Sequence, residues 1–178
     1  MFLSLAEIVD IIIAVIAGGY IFMDSFRDPR DHAKTFGERL LFSIAIAAPA
    51  IVLHEFGHKF VALALGYSAT FHAAYGWLGI GVLLKLVGFP FLIMVPAYVS
   101  IAGATGLHHA LIAFSGPAIN LTLWLTCAAV LALNKKLSRN TEAILYYSKT
   151  INMFLFIFNL IPIQGFDGYQ IARGLGLF

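Results

Sequence analysis

The stretch AIVLHEFGHKFVALALG, residues 50–66, places one carboxylate and two imidazoles inside an apolar segment long enough to be a membrane helix. His54, Glu55 and His58 lie at its centre. An ionisable group inside such a helix costs roughly 3 kcal/mol unless it is paired, so it indicates a functional site. In a helix, His54 and His58 project from one face, one turn apart. Two imidazoles with this spacing can share a metal ion, and Glu55 is a candidate general base beside it.

The composition predicts an integral membrane protein in contact with a lipid bilayer. The 178-residue chain is 61% hydrophobic and only 11% charged, whereas a soluble domain carries about 25% charged residues. The net charge of +2 gives no basis for nucleic-acid binding. A single cysteine, Cys127, excludes an intrachain disulfide and suits a buried apolar position.

Four apolar runs approach or exceed the length of about 20 residues that a membrane helix needs. They cover residues 3–23, 40–66, 111–133 and 143–163. The first run has no basic flank and no clear cleavage site, so we expect a retained span and not a signal peptide. Residues 67–110 are apolar in part but broken by glycine and proline. They fit either a kinked helix or a hairpin that enters the membrane and returns.

A catalytic zinc site normally has three protein ligands and a water, so a third ligand must come from elsewhere in the chain. Only Glu142 and Asp167 carry carboxylates beyond Glu55. Glu142 lies in a polar loop and is expected to be solvated, whereas Asp167 follows the last apolar run. Asp167 is therefore the preferred third ligand. Three further histidines stay open as ligands, although interfacial positions are more usual for such residues: His72, His108 and His109.

Depth in the membrane distinguishes the two interpretations of residues 67–110. At about 1.5 Å per residue, His54 and His58 lie nearer the C-terminal end of their span. Asp167 reaches that side only if residues 67–110 return without crossing, so the metal hypothesis favours the re-entrant hairpin. The same counting places Asn120 level with the histidines, where its amide could contact substrate or join two helices. Asn159 is a second tentative substrate contact, or a residue that satisfies exposed backbone.

Three motifs in fixed order resemble those of the site-2 protease family of intramembrane zinc metalloproteases. They are HEFGH at 54–58, SGPAIN at 115–120 and NLIPIQGFDG at 159–168. The resemblance covers about residues 40–168 and is strongest to compact archaeal members, which lack PDZ and CBS domains. Phe166 departs conservatively from the usual Leu or Met before the Asp-Gly pair. The segment GFPFLIMVPAYVSIAG, residues 88–103, is similar to the re-entrant β-hairpin of that family.

The resemblance implies how these residues act. His54, His58 and Asp167 would be the ligands of one Zn²⁺, and Glu55 would be the catalytic base. Asn120 would contact the substrate or the transition state. The implied reaction is hydrolysis of a peptide bond in or near the transmembrane segment of a membrane-protein substrate.

The expected fold is an all-α polytopic membrane protein of about four to six transmembrane segments. A re-entrant β-hairpin would separate the second span from the span that carries SGPAIN. We interpret residues 1–178 as a single metalloprotease domain, with a catalytic core at 40–168 and a peripheral first span and loop at 1–39. An extended substrate is expected to add as a strand to the hairpin around residues 91–99.

The expected location is the cell membrane of an archaeon or bacterium, with the active site nearer the cytosolic face, as the resemblance implies. The distribution of basic residues conflicts with this orientation, because most of them lie in loops on the opposite side. Two alternative functions are a metal-binding transporter and a catalytically inactive membrane scaffold. The chain shows no inverted repeat to support a transporter, and a scaffold need not retain Glu55.

Overall fold

A computed structural model describes residues 2–26, 35–89 and 96–177 of the chain. These residues are mostly helical, as predicted. In chain order the elements are α1 (Leu5–Phe22), α2 (Phe36–Ala64), β1 (Ala69–Ala73), α3 (Tyr75–Leu86), β2 (Ala97–Ile101), α4 (Gly106–Leu133), α5 (Arg139–Asn159) and α6 (Asp167–Gly174).

Three of these helices, α1, α2 and α4, are long and apolar enough to cross a membrane, which confirms three of the four predicted spans. The fourth predicted run forms α5, a helix of 21 residues. Its first half is more polar than the other three helices because it begins RNTE, and its crossing of the membrane stays a prediction. Helix α4 begins at Gly106, five residues before the predicted run, because hydropathy does not mark its first, histidine-containing turn.

Local sequence signals explain where the first two spans begin. Ser4 and Glu7 form a capping box at α1, and Thr35 and Glu38 form another at α2. In each case the hydroxyl accepts from a backbone N–H and the glutamate accepts from the backbone of the capping residue, which satisfies two donors left free at a helix start. These boxes start both helices at the polar edge of an apolar run.

The two strands pair antiparallel, with Ala69 opposite Ile101 and Ala73 opposite Ala97. The chain between α2 and α4 therefore returns toward its starting point, which confirms the antiparallel hairpin predicted there. The position of the first strand differs from the prediction, because β1 precedes the segment 88–103. Helix α3 between the strands was not predicted. Residues 90–95, and with them most of the segment expected to receive substrate, lie outside the described residues.

Helix α4 runs antiparallel to α2 and close to it. Moving along α2 from His54 to His58 corresponds to moving along α4 from Asn120 back to Ile112. A Cβ added to Gly57 would lie 2.8 Å from the backbone oxygen of Ser115, so the two backbones need a glycine at their closest approach. Helix α5 packs along α4, and the short α6 packs on the N-terminal part of α4. This arrangement brings the start of α6 to the histidines of α2.

Candidate metal centre

The three predicted ligands meet between α2 and α6. His54 and His58 are buried, and their Nε2 atoms lie 3.1 Å apart. The carboxylate of Asp167 lies 3.1 Å from Nε2 of His54 and 3.4 Å from Nε2 of His58. Among the described residues, this is the one group of three or more His, Cys, Asp or Glu side chains whose ligand atoms all converge.

Hydrogen bonds on the far side of each imidazole determine which nitrogen faces the cluster. His54 Nδ1 lies 2.6 Å from the side-chain oxygen of Asn120, and His58 Nδ1 lies 2.7 Å from the backbone oxygen of Ile112. Carbonyl oxygens only accept, so both Nδ1 atoms carry the proton and donate it. The Nε2 atoms of neutral imidazoles then present lone pairs to the cluster. Two lone pairs and a carboxylate face one another, an arrangement that a cation stabilises.

A chain of amide hydrogen bonds fixes the orientation of Asn120. Its Nδ2 donates to the backbone oxygen of Ala50 at 2.9 Å and to Oδ1 of Asn152 at 2.8 Å. Asn152 in turn donates to the backbone oxygen of Ser148. Because the chain ends on backbone oxygens, which only accept, the Asn120 side-chain oxygen must face His54. Both asparagines are fully buried. Asn152 orients Asn120, and Asn120 in turn determines which nitrogen of His54 carries the proton.

The donor set fits Zn²⁺. Two imidazole nitrogens and a carboxylate are common ligands of catalytic zinc, and zinc–nitrogen bonds of about 2.0 to 2.1 Å imply tetrahedral ligand separations of about 3.3 to 3.4 Å. The observed separations are 3.1 to 3.4 Å. The Oδ2 atom of Asp167 is buried without a hydrogen-bond partner among the described residues. A buried carboxylate oxygen without a donor is costly, and a metal ion would satisfy it.

Two motif glycines leave the space that the ligands occupy. A Cβ added to Gly116 would lie 2.3 Å from His58 Nε2 and 2.8 Å from the His54 ring. A Cβ added to Gly168 would lie 2.3 Å from the backbone oxygen of Leu160. The first glycine lets the imidazoles lie against α4, and the second lets α6 start directly under the end of α5. Both positions belong to the motifs quoted above, and their physical role is steric.

The turn between α5 and α6 aims Asp167 at the histidines. Helix α5 ends at Asn159, shortly before Pro162, and Gly165 adopts a positive φ of 102° that disfavours other residues. Asp167 is then the first residue of α6, where a carboxylate also interacts favourably with the helix dipole.

Glu55, the predicted base, lies where two cavities meet. It is buried, and together with His54 it lines both of them. One cavity, of about 340 Å³, is mainly apolar and lies between α1, α3 and α5. The other, of about 440 Å³, contains all three cluster residues and passes along β2 toward α4 and α6. A peptide bond between the two cavities would therefore lie beside Glu55.

The free edge of β2 borders the second cavity. Phe71 lies opposite Val99, and the Phe71 N–H donates away from β2, to Glu7. Residues directly opposite in an antiparallel pair either bond each other or both face outward, so the Val99 N–H and C=O also face outward. The Val99 amide faces the Glu55 carboxylate. The same alternation leaves the backbone groups of Ala97 and Ile101 on this edge, and both residues line the cavity.

The other residues considered from the sequence lie in different places. Asn159 lines both cavities. Asn120 contacts His54 on the side away from the cluster, and its contact with substrate stays a prediction. Glu142 is exposed in the first turn of α5. The three other histidines in the described residues bond to side chains outside the cluster: His72 to Ser100, His108 to Tyr67 and His109 to Gln170.

Sequence reasoning missed Asn152 and the pair of Glu7 with Lys59. Asn152 carries no motif, and a polar residue in an apolar helix was its only signal. Lys59 Nζ donates to Glu7 and to the backbone oxygen of Ala69, and both charged side chains are buried. The pair joins α1, α2 and β1 next to the three candidate metal ligands. Both residues are ionisable groups in predicted spans, which is the signal that would have found them.

Comparison with known proteins identifies a relative of the same chemistry. No family model and no solved structure matched the chain. A curated protein of Methanocaldococcus jannaschii, named "Putative zinc metalloprotease MJ0611", is 30% identical over 175 residues, which cover 96% of this chain and 85% of the relative. The name of that archaeal protein agrees with the donor set of His54, His58 and Asp167. The chain belongs to the same zinc metalloprotease family as this archaeal protein.

Proposed function

We propose that this protein is an intramembrane zinc metalloprotease of the site-2 protease type, which hydrolyses a peptide bond in or near the transmembrane segment of a membrane-protein substrate. One observation carries the proposal. His54 and His58 lie on a helix apolar enough to span a membrane, and they converge with Asp167 of α6 so that the acceptor atoms of all three face one another, with Glu55 beside them. The kinship with the archaeal metalloprotease supports it.

The residues of the cluster would hold one Zn²⁺ through Nε2 of each histidine and the carboxylate of Asp167. When bound, the ion would supply Lewis-acid chemistry, because it polarises a carbonyl and lowers the pKa of a water toward about 7. Asn120 and Ile112 keep both imidazoles in the tautomer that such an ion requires. Asp167 supplies the negative charge that two neutral imidazoles lack.

Glu55 is the proposed general base. Its position at the junction of the cavities lets it take a proton from the attacking water on one side of the scissile bond. It would later pass that proton to the leaving amine, so one carboxylate serves both steps. Burial of the site keeps bulk lipid and most water away from the reaction, which strengthens the electrostatic interactions there.

The free edge of β2 is the proposed docking site for the substrate backbone. A peptide bond in a helix is shielded and its carbonyl is already hydrogen-bonded, so the substrate must become extended. Strand addition at Val99 would extend it and align it past Glu55. The apolar cavity, lined by Phe22, Trp77 and Phe154 from three different helices, would receive side chains of the transmembrane segment.

The role of β2 can be tested with Val99→Pro, which removes the outward N–H and leaves the hydrogen bonds to β1 in place. We expect cleavage to fall about tenfold, because one backbone hydrogen bond to the substrate is worth about 1 kcal/mol and proline also constrains the edge. Val99→Ala shortens the same side chain but keeps the N–H, so it should cleave close to the wild-type rate. Equal rates for the two variants would contradict strand addition at this edge.

The protein is proposed to act in the cell membrane, with the lipid bilayer and a transmembrane protein substrate as its partners. We propose that the active site lies nearer the cytosolic face, by analogy with the site-2 protease family. Seven basic residues expected on the opposite side, within the sequence ranges 27–39 and 135–139, argue for the reverse orientation. Labelling of single-cysteine variants at Lys136 and Arg173 from either side of sealed vesicles would distinguish the two orientations.

The decisive experiment compares wild type, Glu55→Gln and Glu142→Gln as purified proteins in detergent. A transmembrane reporter peptide measures cleavage, and metal analysis measures zinc per chain. We expect the wild type and Glu142→Gln to bind one zinc and cleave. Glu55→Gln should keep the zinc and lose about 10²- to 10⁴-fold in rate, because only proton transfer is removed. A protein that binds zinc but cleaves no reporter would instead favour the scaffold or transporter alternative, and a protein that binds no metal would refute the ligand assignment.

A further inference from the structure

The cavity lined by His54, His58 and Asp167 continues beyond these three side chains into a polar region formed by α6 and the first turn of α4. His109, Gln170 and Arg173 line this region. His109 Nε2 lies 3.0 Å from the Gln170 side-chain oxygen, and His109 Nδ1 lies 3.2 Å from the backbone oxygen of Ala104. These contacts occupy the polar atoms of His109. In the ranges 2–26, 35–89 and 96–177, the guanidinium of Arg173 has no such partner.

Among the described residues, Arg173 is the one Lys or Arg that lines this cavity. Within the part of the chain that the structure describes, no carboxylate pairs with it. The two acidic side chains of the cavity are Glu55 and Asp167, and both belong to the proposed catalytic centre. The polar region therefore has an unneutralised positive charge at its outer end, where Arg173 is exposed to solvent.

Close packing fixes the position from which Arg173 projects. A Cβ added to Gly174, the next residue, would lie 2.6 Å from the backbone nitrogen of Ala110 and 2.9 Å from the backbone oxygen of Gly106. The end of α6 is therefore held directly against the start of α4. A guanidinium on such a fixed helix presents a rigid fork of donors that matches a carboxylate.

The spacing along α6 gives a distance from the reacting centre. Asp167 and Arg173 are six residues apart in one helix, which corresponds to about 9 Å along its axis. An extended peptide advances about 3.3 Å per residue, so 9 Å corresponds to about three substrate residues. The opposite side of Glu55 opens into the apolar cavity, where aromatic side chains of α1, α3 and α5 would receive the apolar segment.

We propose that Arg173 is a specificity-determining residue that selects substrates with an acidic side chain about two to four residues from the scissile bond, on the side away from the apolar transmembrane segment. The inference rests on the proposed protease function. The cleft would thus recognise the boundary of a transmembrane segment, with bulky apolar residues on one side of the cut and a carboxylate on the other. Charge complementarity of this kind favours one partner over others more than it raises overall affinity.

The test uses reporter peptides that differ at one position only, with Glu, Gln or Lys placed in turn at each of four positions on either side of the cut. Wild-type protein should cleave the Glu peptide about five- to tenfold faster than the Gln peptide in kcat/KM, and only at positions two to four on the polar side. The size corresponds to an ion pair that is partly exposed. High salt should reduce this ratio.

Variants of Arg173 separate recognition from folding. In Arg173→Gln the ratio of Glu to Gln peptide should fall to about one, and Arg173→Glu should prefer the Lys peptide. Lys136→Gln, which removes an exposed positive charge far from the cavity, should keep the wild-type ratio. A wild-type enzyme without a Glu preference, or a preference unchanged in both Arg173 variants, would overturn the proposal. If no peptide of the series is cleaved while zinc is bound, the proposed protease function fails and this inference fails with it.

Discussion

Helix α2 carries two buried ionisable clusters side by side, and they differ in how their charges are neutralised. Lys59 donates to Glu7 and to the Ala69 oxygen, and Glu7 also accepts from the Phe71 N–H, so each charge in that cluster has an opposite partner within the protein. In the other cluster, two imidazole nitrogens and a carboxylate present acceptors to one another, and one carboxylate oxygen has no donor. A cluster that is complete by itself serves the fold, whereas a cluster of converging acceptors is built to receive a cation.

The two edges of the small sheet repeat this difference. The outer edge of β1 is closed, because Glu7 accepts from the Phe71 N–H and Lys59 donates to the Ala69 oxygen. The outer edge of β2 borders the cavity and faces Glu55. An edge covered by the protein's own side chains resists pairing, and an uncovered edge can accept a strand. The ion pair of Glu7 and Lys59 therefore anchors the sheet at β1 and leaves the outer edge of β2 for the proposed strand addition.

The largest effect is expected from Gly116→Ala. The added methyl group would overlap both imidazoles of the cluster, so the histidines must move and the three ligands can no longer converge. We expect zinc affinity to fall by more than about a hundredfold, beyond the usual effect of losing a residue that only supports a ligand. Metal titration in detergent measures this.

Gly79→Ala is the matched control for this substitution, because nothing lies within 4 Å of a Cβ at that position of α3. It should bind zinc like the wild type. Normal zinc binding by Gly116→Ala would show that the histidines can relax around the methyl group, and would weaken the steric account of this motif.

Breaking the other cluster should affect stability and leave the metal site intact. Lys59→Met removes one partner of a buried ion pair and leaves the charge of Glu7 uncompensated, which costs about 3–5 kcal/mol of unfolding free energy. Thermal unfolding in detergent would measure the loss. The fraction that stays folded should still bind one zinc per chain.

The double variant Glu7→Gln with Lys59→Met sharpens the comparison. Glutamine keeps an acceptor for the Phe71 N–H but carries no charge, so the double variant should be more stable than Lys59→Met alone. A double variant that is less stable than the single one would mean that packing around Lys59, and not its charge, holds the sheet in place.

The smallest effect is expected from Asn152→Ala. This change removes one acceptor of Asn120, two side chains away from the cluster, and loosens the orientation of His54. Zinc affinity should fall about tenfold, at the lower end of the range for residues that support a ligand. Asn140→Ala, an exposed position in the same helix, should have no effect. Equal zinc affinity in both variants would show that the orientation of Asn120 does not depend on Asn152 of α5.

The sequence by itself determined which residues are candidates for the site. HEFGH predicts two ligands and a base from their helical spacing, and the scarcity of acids left Asp167 as the preferred third ligand. Composition and apolar runs determined the class of fold and three of its membrane helices. These are local or one-dimensional properties, so they can be derived without knowing which segments are neighbours in space.

Only the tertiary structure decided which side chains support the site. The pairing of β1 with β2 across α3 depends on a long-range register, and the bond from Asn152 to Asn120 joins residues of two helices. Gly116 belongs to the motif SGPAIN, but its steric role depends on imidazoles that come from another helix. The ion pair of Glu7 and Lys59 spans 52 positions of sequence. No periodicity or composition encodes such contacts, because they arise from the packing of segments that are distant in the chain.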